Sequence, residues 1–187
     1  MLKALRLSDV ASALNGRVVG ADCAFSAVST DSRSIVPGQL FVALSGPRFD
    51  GHDYLAQVAA KGAVAALVAR EVAGVDLPQL VVADTTLALG QLGALNRQAY
   101  GGLLAAVTGS SGKTTVKEML AAILRAACAQ DGGAVLATRG NFNNQLGVPL
   151  TLLELGPQHT GAVIELGASG IGEIAYTVGL TKPQVAI

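Results

Sequence analysis

The chain has 187 residues, 51% of them apolar, and its 13 basic and 13 acidic side chains cancel. That length serves one large domain or two small ones, with ample material for packed cores and no sign of disorder. The zero balance and an aromatic content of only 4%, with no Trp, argue against a basic nucleic-acid groove, an anionic-membrane surface and a base-stacking platform for nucleic acid.

Short apolar runs alternate with amphipathic helical patterns, which predicts α/β architecture. Ser8 is placed to cap a first helix that Asn15-Gly16 stops near Leu14. Residues 17–20, 25–29 and 40–44 read as strands, residues 51–60 as a helix closed by Gly62, and residues 63–68 and 80–83 as strands. Asp84 is a good cap for a helix to Tyr100, and it marks the expected division into domains 1–83 and 84–187. After Gly101-Gly102 come a strand at 103–107, a Gly-rich loop, a helix at 113–129 and a strand at 134–138. A short helix opens at Gly147-Val148-Pro149, with Pro tolerated in its first turn. A strand at 162–166 and a helix at 173–180 follow. Strand–helix alternation with short turns predicts a parallel sheet with right-handed crossovers. The final Gln184-Val185-Ala186-Ile187 reads as the start of one more buried strand, so the second domain is expected to be incomplete at its C-terminus.

Cys23 and Cys128 match no metal or redox spacing and read as reduced thiols. The N-terminus lacks the apolar core of a signal peptide, and Lys61 interrupts the Ala-rich run 55–69. No stretch reaches the ~18 apolar residues of a membrane span. A cytoplasmic protein without a membrane span is expected.

Residues 108–115, Thr-Gly-Ser-Ser-Gly-Lys-Thr-Thr, carry the clearest chemistry. A loop between strand and helix that turns its N–H groups inward holds a phosphate at the positive helix end. Gly109 and Gly112 allow close backbone approach, Lys113 reaches the outer phosphates, and the Thr114 hydroxyl suits Mg²⁺. Ser110, Ser111 and Thr115 complete the nucleotide-binding segment. The longer common form of this loop has a glycine where this chain has Val107, so the loop is of a shorter type. A metal-holding carboxylate is also required. Glu165 ends the apolar run 162–166, at the edge where open parallel sheets bind ligands. On position alone the lesser alternative is a solvated strand end.

The shortened loop resembles that of the Mur ligases, ATP-dependent amide-forming enzymes of peptidoglycan synthesis. Ser29-Thr30-Asp31-Ser32-Arg33, Pro37-Gly38-Gln39-Leu40-Phe41 and Phe49-Asp50-Gly51-His52-Asp53-Tyr54 look like the family's N-terminal uridine-nucleotide domain. Residues 139–150, Arg-Gly-Asn-Phe-Asn-Asn-Gln-Leu-Gly-Val-Pro-Leu, and Glu165-Leu166-Gly167-Ala168 resemble the branch that adds a dipeptide, not the amino-acid-adding branch. Ser169-Gly170 departs from the Asn-His that many relatives carry there.

The resemblance implies a small N-terminal α/β uridine-nucleotide domain followed by a truncated P-loop parallel-sheet domain. It implies ATP and Mg²⁺ as cofactors, UDP-MurNAc-tripeptide and D-Ala-D-Ala as substrates, no nucleic acid, and a monomer. Lys113 and Glu165 become the catalytic pair, and Thr114 with Glu165 the metal ligands. Ser29, Thr30, Asp31, Ser32, Arg33, Gly51 and His52 become substrate contacts in the first domain. Asn141, Asn143 and Asn144 do so in the second. Without the resemblance, residues 29–33 read as a polar turn and the asparagines as αL-tolerant turn residues. Three alternatives stand beside this reading: an amino-acid-adding ligase, a non-catalytic UDP-sugar-binding module, and a generic P-loop kinase or GTPase.

Overall fold

The computed structural model describes residues 1–129 and 132–187. The chain forms two compact units, Lys3–Leu89 and Gly90–Ile187, the latter joined by Met1–Leu2. The division falls within one helix, a few residues beyond Asp84.

The Lys3–Leu89 unit begins with β1 (Leu5–Arg6), α1 (Leu7–Leu14), β2 (Arg17–Val19), β3 (Ala24–Phe25), β4 (Ala27–Ser29) and β5 (Gln39–Val42). A hairpin of β6 (Ser45–Gly46) and β7 (Phe49–Asp50) leads into a 3-10 turn, Gly51–Tyr54. Then come α2 (Leu55–Ala60), β8 (Ala65–Val68), β9 (Gln79–Val81) and the start of α3 (Thr85–Gln98). Its five-stranded sheet has the order β2-β9-β8-β5-β4; only β2 runs antiparallel to its neighbour. Phe41, Leu55, Val58, Ala66 and Val68 pack as its core.

Three expectations change here. The strand expected at 25–29 is broken at Ser26, because Phe25 pairs with Leu5 while Ala27 pairs with Gln39. The helix expected at 51–60 starts as a 3-10 turn, with Asp50 accepting the His52 N–H. Ser8 does not cap α1 with its own side chain. It lies inside the first turn, and Asp22 from a distant loop accepts its N–H at 3.0 Å and its hydroxyl at 3.1 Å. A carboxylate there meets both the free donors and the positive helix end.

The second unit continues with β10 (Leu103–Val107), α4 (Lys113–Cys128), β11 (Ala134–Ala137), α5 (Gly147–Leu153), β12 (His159–Glu165), α6 (Glu173–Thr181) and β13 (Val185–Ala186). Its sheet, β11-β12-β10-β13, is wholly parallel. The period of two sorts the side chains. Leu104, Ala106, Ala162 and Ile164 point to the face where Val148, Leu152 and Leu155 pack, and Val107 and Val163 to the α4 face with Ala121. Glu165, two residues after Val163, shares the α4 side. β12 starts three residues earlier than expected because Ala134 already pairs with His159.

Candidate functional site

The phosphate loop begins where β10 ends. Val107 lies opposite Glu165 in the parallel register and its carbonyl accepts the Leu166 N–H at 2.8 Å. Its side chain is buried with Val163 and Ala121. The position therefore belongs to the sheet and has no use for a glycine. The loop's special backbone falls on Gly109 (φ +141°) and Gly112 (φ +76°). Gly112 is left-handed immediately before α4, a conformation an L side chain rarely adopts. Thr108, Gly109, Ser110 and Ser111 are exposed, and the Thr108 hydroxyl donates to the Leu166 carbonyl at 2.9 Å.

Lys113 closes the loop on itself, its ammonium donating to the Gly109 carbonyl at 2.7 Å. Glu165 is only 2% exposed, yet both carboxylate oxygens are satisfied. The Thr114 hydroxyl donates to Oε2 at 3.0 Å, and Asn143 Nδ2 donates to Oε1 at 2.8 Å. The Glu165 N–H in turn donates to the Thr138 hydroxyl at 2.9 Å. Glu165 is thus a fixed carboxylate at the mouth of the loop, not a solvated strand end.

The three asparagines separate. Asn143 reaches Glu165, and its carbonyl accepts the Gly167 N–H at 2.7 Å. Asn144 Oδ1 accepts the Leu146 and Gly147 N–H groups at 3.1 and 2.8 Å, so it starts α5. Asn141 is exposed on the same turn, its carbonyl accepting the Asn143 N–H. Gly147 is required there: a Cβ would lie 2.4 Å from the Phe142 Cα.

Lys117 and Thr138 were not among the residues expected here. Lys117 is 1% exposed, with its ammonium on the Thr138 carbonyl and the Glu118 carboxylate, both at 2.8 Å. That ammonium holds the Glu118 carboxyl below its ordinary value. The signal was available: Lys117 and Ala121 share the buried face of α4, one turn apart.

The Lys3–Leu89 unit carries a separate pocket of about 440 Å³, lined by Thr30, Asp31, Ser32 and Arg33 and by Phe41, Phe49, Gly51 and Tyr54. Arg33 clasps Asp31 with two parallel bonds, Nε at 2.9 Å and Nη2 at 2.8 Å, and its N–H adds a third at 2.9 Å. The guanidinium beside it, more than the backbone N–H, holds the Asp31 carboxyl down at about 2. Lys61, unremarked in the sequence, supports the turn by donating to the Ser32 and Arg33 carbonyls at 2.9 Å each.

Two expected contacts lie outside that lining. The Ser29 hydroxyl accepts the Asp31 N–H at 3.2 Å and so shapes the turn. His52 is 3% exposed; its Nε2 accepts the Ala69 N–H at 2.9 Å and its Nδ1 bonds Asp50. Both ring nitrogens are engaged inside the fold, with Nδ1 as the protonated one. Ser45 and Arg70 also donate to Asp50, each at 2.8 Å. His159, first in β12, accepts the Gly156 N–H through Nδ1 at 2.9 Å.

A parallel sheet with a Gly-rich loop at its carboxyl edge, and a buried carboxylate bonded to the hydroxyl just after the loop lysine, is the arrangement of a P-loop domain. Family comparison carries this further. Residues 107–187 match the Mur ligase middle domain, and residues 24–97 match the Mur ligase family catalytic domain. The chain belongs to the Mur ligase family. It is 54% identical to the UDP-N-acetylmuramoyl-tripeptide–D-alanyl-D-alanine ligase of Escherichia coli, over 97% of this chain and 39% of that one. The structure of UDP-N-acetylmuramoylalanyl-D-glutamyl-2,6-diaminopimelate–D-alanyl-D-alanyl ligase from Acinetobacter baumannii superposes with a TM-score of 0.87 at 44% identity, over 99% of this chain and 41% of that one. The crystal structure of MurF ligase from Thermotoga maritima in complex with ADP gives 0.72 at 32% identity, over 84% of this chain and 35% of that one. The chain therefore spans about two fifths of the length of the relatives it matches.

Proposed function

We propose that this chain provides the uridine-nucleotide pocket and the ATP phosphate site of an ADP-forming ligase that joins D-Ala-D-Ala to UDP-MurNAc-tripeptide. The observation that carries the reading is the Thr114–Glu165–Asn143 constellation beside the phosphate loop. The similarity to UDP-N-acetylmuramoyl-tripeptide–D-alanyl-D-alanine ligases and the ADP complex of the Thermotoga relative support it.

The chemistry follows from the reactants. A carboxylate is a poor acyl donor; transfer of the ATP γ-phosphoryl group to it provides a leaving group. The amine of D-Ala-D-Ala then attacks the acyl phosphate, the amide bond forms, and phosphate departs. The protein's contribution is positioning and charge neutralisation. Lys113 would exchange its Gly109 carbonyl for phosphate oxygens at the start of α4, where free helix N–H groups and the positive helix end favour an anion. Asn143 orients Glu165 so that its other oxygen meets Thr114.

The donors fit Mg²⁺. A hydroxyl and one carboxylate are hard oxygens already 3.0 Å apart, and Mg²⁺ characteristically takes one or two carboxylates and completes its shell with phosphates and water. When bound, Mg²⁺ neutralises charge on the phosphates.

In the first unit, Thr30, Ser32 and Arg33 meet the substrate diphosphate, a role suited to hydroxyls and a guanidinium. No described helix is long and apolar enough to cross a membrane. We place the protein in the cytoplasm as a monomer, where Cys23 and Cys128 stay reduced.

The test is ATP-dependent phosphate release by the protein carrying this chain, with UDP-MurNAc-tripeptide and D-Ala-D-Ala supplied together. Release that needs a free amino acid in place of the dipeptide would sink this reading in favour of the amino-acid-adding branch. For the 187 residues alone we expect uridine-nucleotide binding without turnover; measurable turnover would contradict that.

A further inference from the structure

The chain has four Phe, three Tyr and no Trp. Three of these few aromatic rings, Phe41, Phe49 and Tyr54, line the one pocket that also holds Thr30, Asp31, Ser32 and Arg33. Phe41 is buried with the core, but Phe49 is 56% exposed and Tyr54 is 41% exposed. Leaving two large rings in water forgoes apolar burial that a chain so poor in aromatics could have used.

The backbone carrying both rings is held in place. Phe49 lies opposite Gly46 in the β6–β7 hairpin. A Cβ on Gly46 would come within 2.8 Å of the Phe49 Cε1 and 3.3 Å of its Cζ, so the ring lies across the bare glycine backbone. The Asp50 carboxylate pins the end of that hairpin to Ser45, Arg70 and the His52 N–H. Tyr54 ends the 3-10 turn that Gly51 starts. Gly51 presses against the two residues that follow β5 so closely that a Cβ would sit 2.7 Å from the Leu44 carbonyl oxygen and 2.8 Å from the Ala43 Cα.

The pocket thus has an aromatic wall and a polar side, within the ~300–1,000 Å³ range of small-molecule sites. Its polar side carries little free charge, because Arg33 is clasped by Asp31. A ligand with a planar ring and a polar tail fits, and the ring contact must supply much of its affinity.

We propose that Phe49 and Tyr54 are the stacking surface for the pyrimidine base of the nucleotide, with Gly46 as the seat that fixes the Phe49 ring. This rests on the reading of the first unit as a uridine-nucleotide site. Stacking on an aromatic side chain accepts any flat π-face, so these residues set affinity while neighbouring polar groups choose the base.

The experiment is calorimetric titration of UDP and, separately, of pyrophosphate into the 187-residue chain, with circular dichroism confirming that each variant is folded. Phe49→Leu and Tyr54→Leu keep apolar bulk and remove the π-face; each should weaken UDP binding about 5- to 150-fold. Tyr54→Phe should bind UDP like the unsubstituted chain, and pyrophosphate affinity should not change in any variant. Unchanged UDP affinity in folded Phe49→Leu and Tyr54→Leu chains overturns the stacking proposal alone. Loss in Tyr54→Phe equal to that in Tyr54→Leu overturns it for Tyr54, assigning a hydroxyl contact instead. No UDP binding by the unsubstituted chain overturns both this proposal and the uridine-nucleotide reading.

Discussion

The Lys117 ammonium donates to the Thr138 carbonyl at 2.8 Å, and the hydroxyl of the same threonine accepts the Glu165 N–H at 2.9 Å. A helix residue one turn past the phosphate loop is thereby connected to the carboxylate at its mouth. The chain α4–β11–β12 is fixed by side-chain bonds at the point where the sheet ladder ends. Ligand sites on open parallel sheets need such fixing, since beyond the last ladder bond the backbone has no regular partner.

Replacing Lys117 by Met keeps the stem and removes the charge. The Thr138 carbonyl is then left without its donor in a buried setting, which typically costs about 1–3 kcal/mol. Urea denaturation of Lys117→Met should show a lowered midpoint, and nucleotide affinity should fall with it as Glu165 loosens. An unchanged midpoint would mean that the ammonium contributes no net stabilisation.

Glu165→Gln separates charge from shape. The amide can still accept from Asn143 and exchange a hydrogen bond with Thr114, so the fold should hold. What disappears is the negative charge. Titrating ADP with and without Mg²⁺ should show the Mg²⁺-dependent gain in affinity reduced about tenfold or more, with metal-free ADP binding little altered. If the gain survives intact, Glu165 is not the metal carboxylate.

His52 carries a structural prediction. Its Nε2 accepts a buried backbone N–H from Ala69 while Nδ1 bonds Asp50. His52→Leu orphans the Ala69 donor and removes one of the bonds on Asp50. The Lys3–Leu89 unit should lose about 2–3 kcal/mol, read from the first transition in thermal or chemical denaturation. A stability equal to the unsubstituted chain would show that water accepts from the Ala69 N–H in place of the imidazole.

What the sequence disclosed and what it hid divide on a physical line. The Gly-rich loop between β10 and α4 was legible because its geometry is written in adjacent residues: Gly109 and Gly112 supply the positive backbone angles, and α4 starts at Lys113. The parallel sheet of the second unit was legible from strand–helix alternation, and Glu165 from its place at a strand end. Interactions across the sequence were not legible. Asp22 meets Ser8 from 14 residues away, Lys61 meets Ser32 from 29, and Lys117 meets Thr138 from 21. His52 shows the converse: by pattern it lay within a substrate motif, whereas burial turns its ring inward. Val107 is the same lesson on a single residue. It departs from the longer loop pattern because the sheet extends one residue into it.

The Asp31–Arg33 clasp yields a pH prediction whose sign is fixed. The Asp31 carboxyl lies at about 2 in the fold against an ordinary 3.8, chiefly through the Arg33 guanidinium and then through the Arg33 N–H. Above 3.8 both folded and unfolded forms are ionised, and the clasp contributes in full. As pH falls below 3.8 the unfolded chain takes up the proton first, so the contribution declines; once pH passes below about 2 it is gone. Both side chains face solvent, so the effect belongs to the turn more than to global stability. Carboxyl-carbon NMR should report Asp31 titrating near 2 in the unsubstituted chain. In Arg33→Ala the backbone N–H remains, so the midpoint should return only part of the way to 3.8. Saturating UDP is expected to leave it near 2, because Arg33 can meet a phosphate through Nη1, which the clasp does not use. A rise toward 3.8 on adding UDP would instead show the diphosphate pulling Arg33 off Asp31, making charge, not the aromatic wall, the main source of affinity.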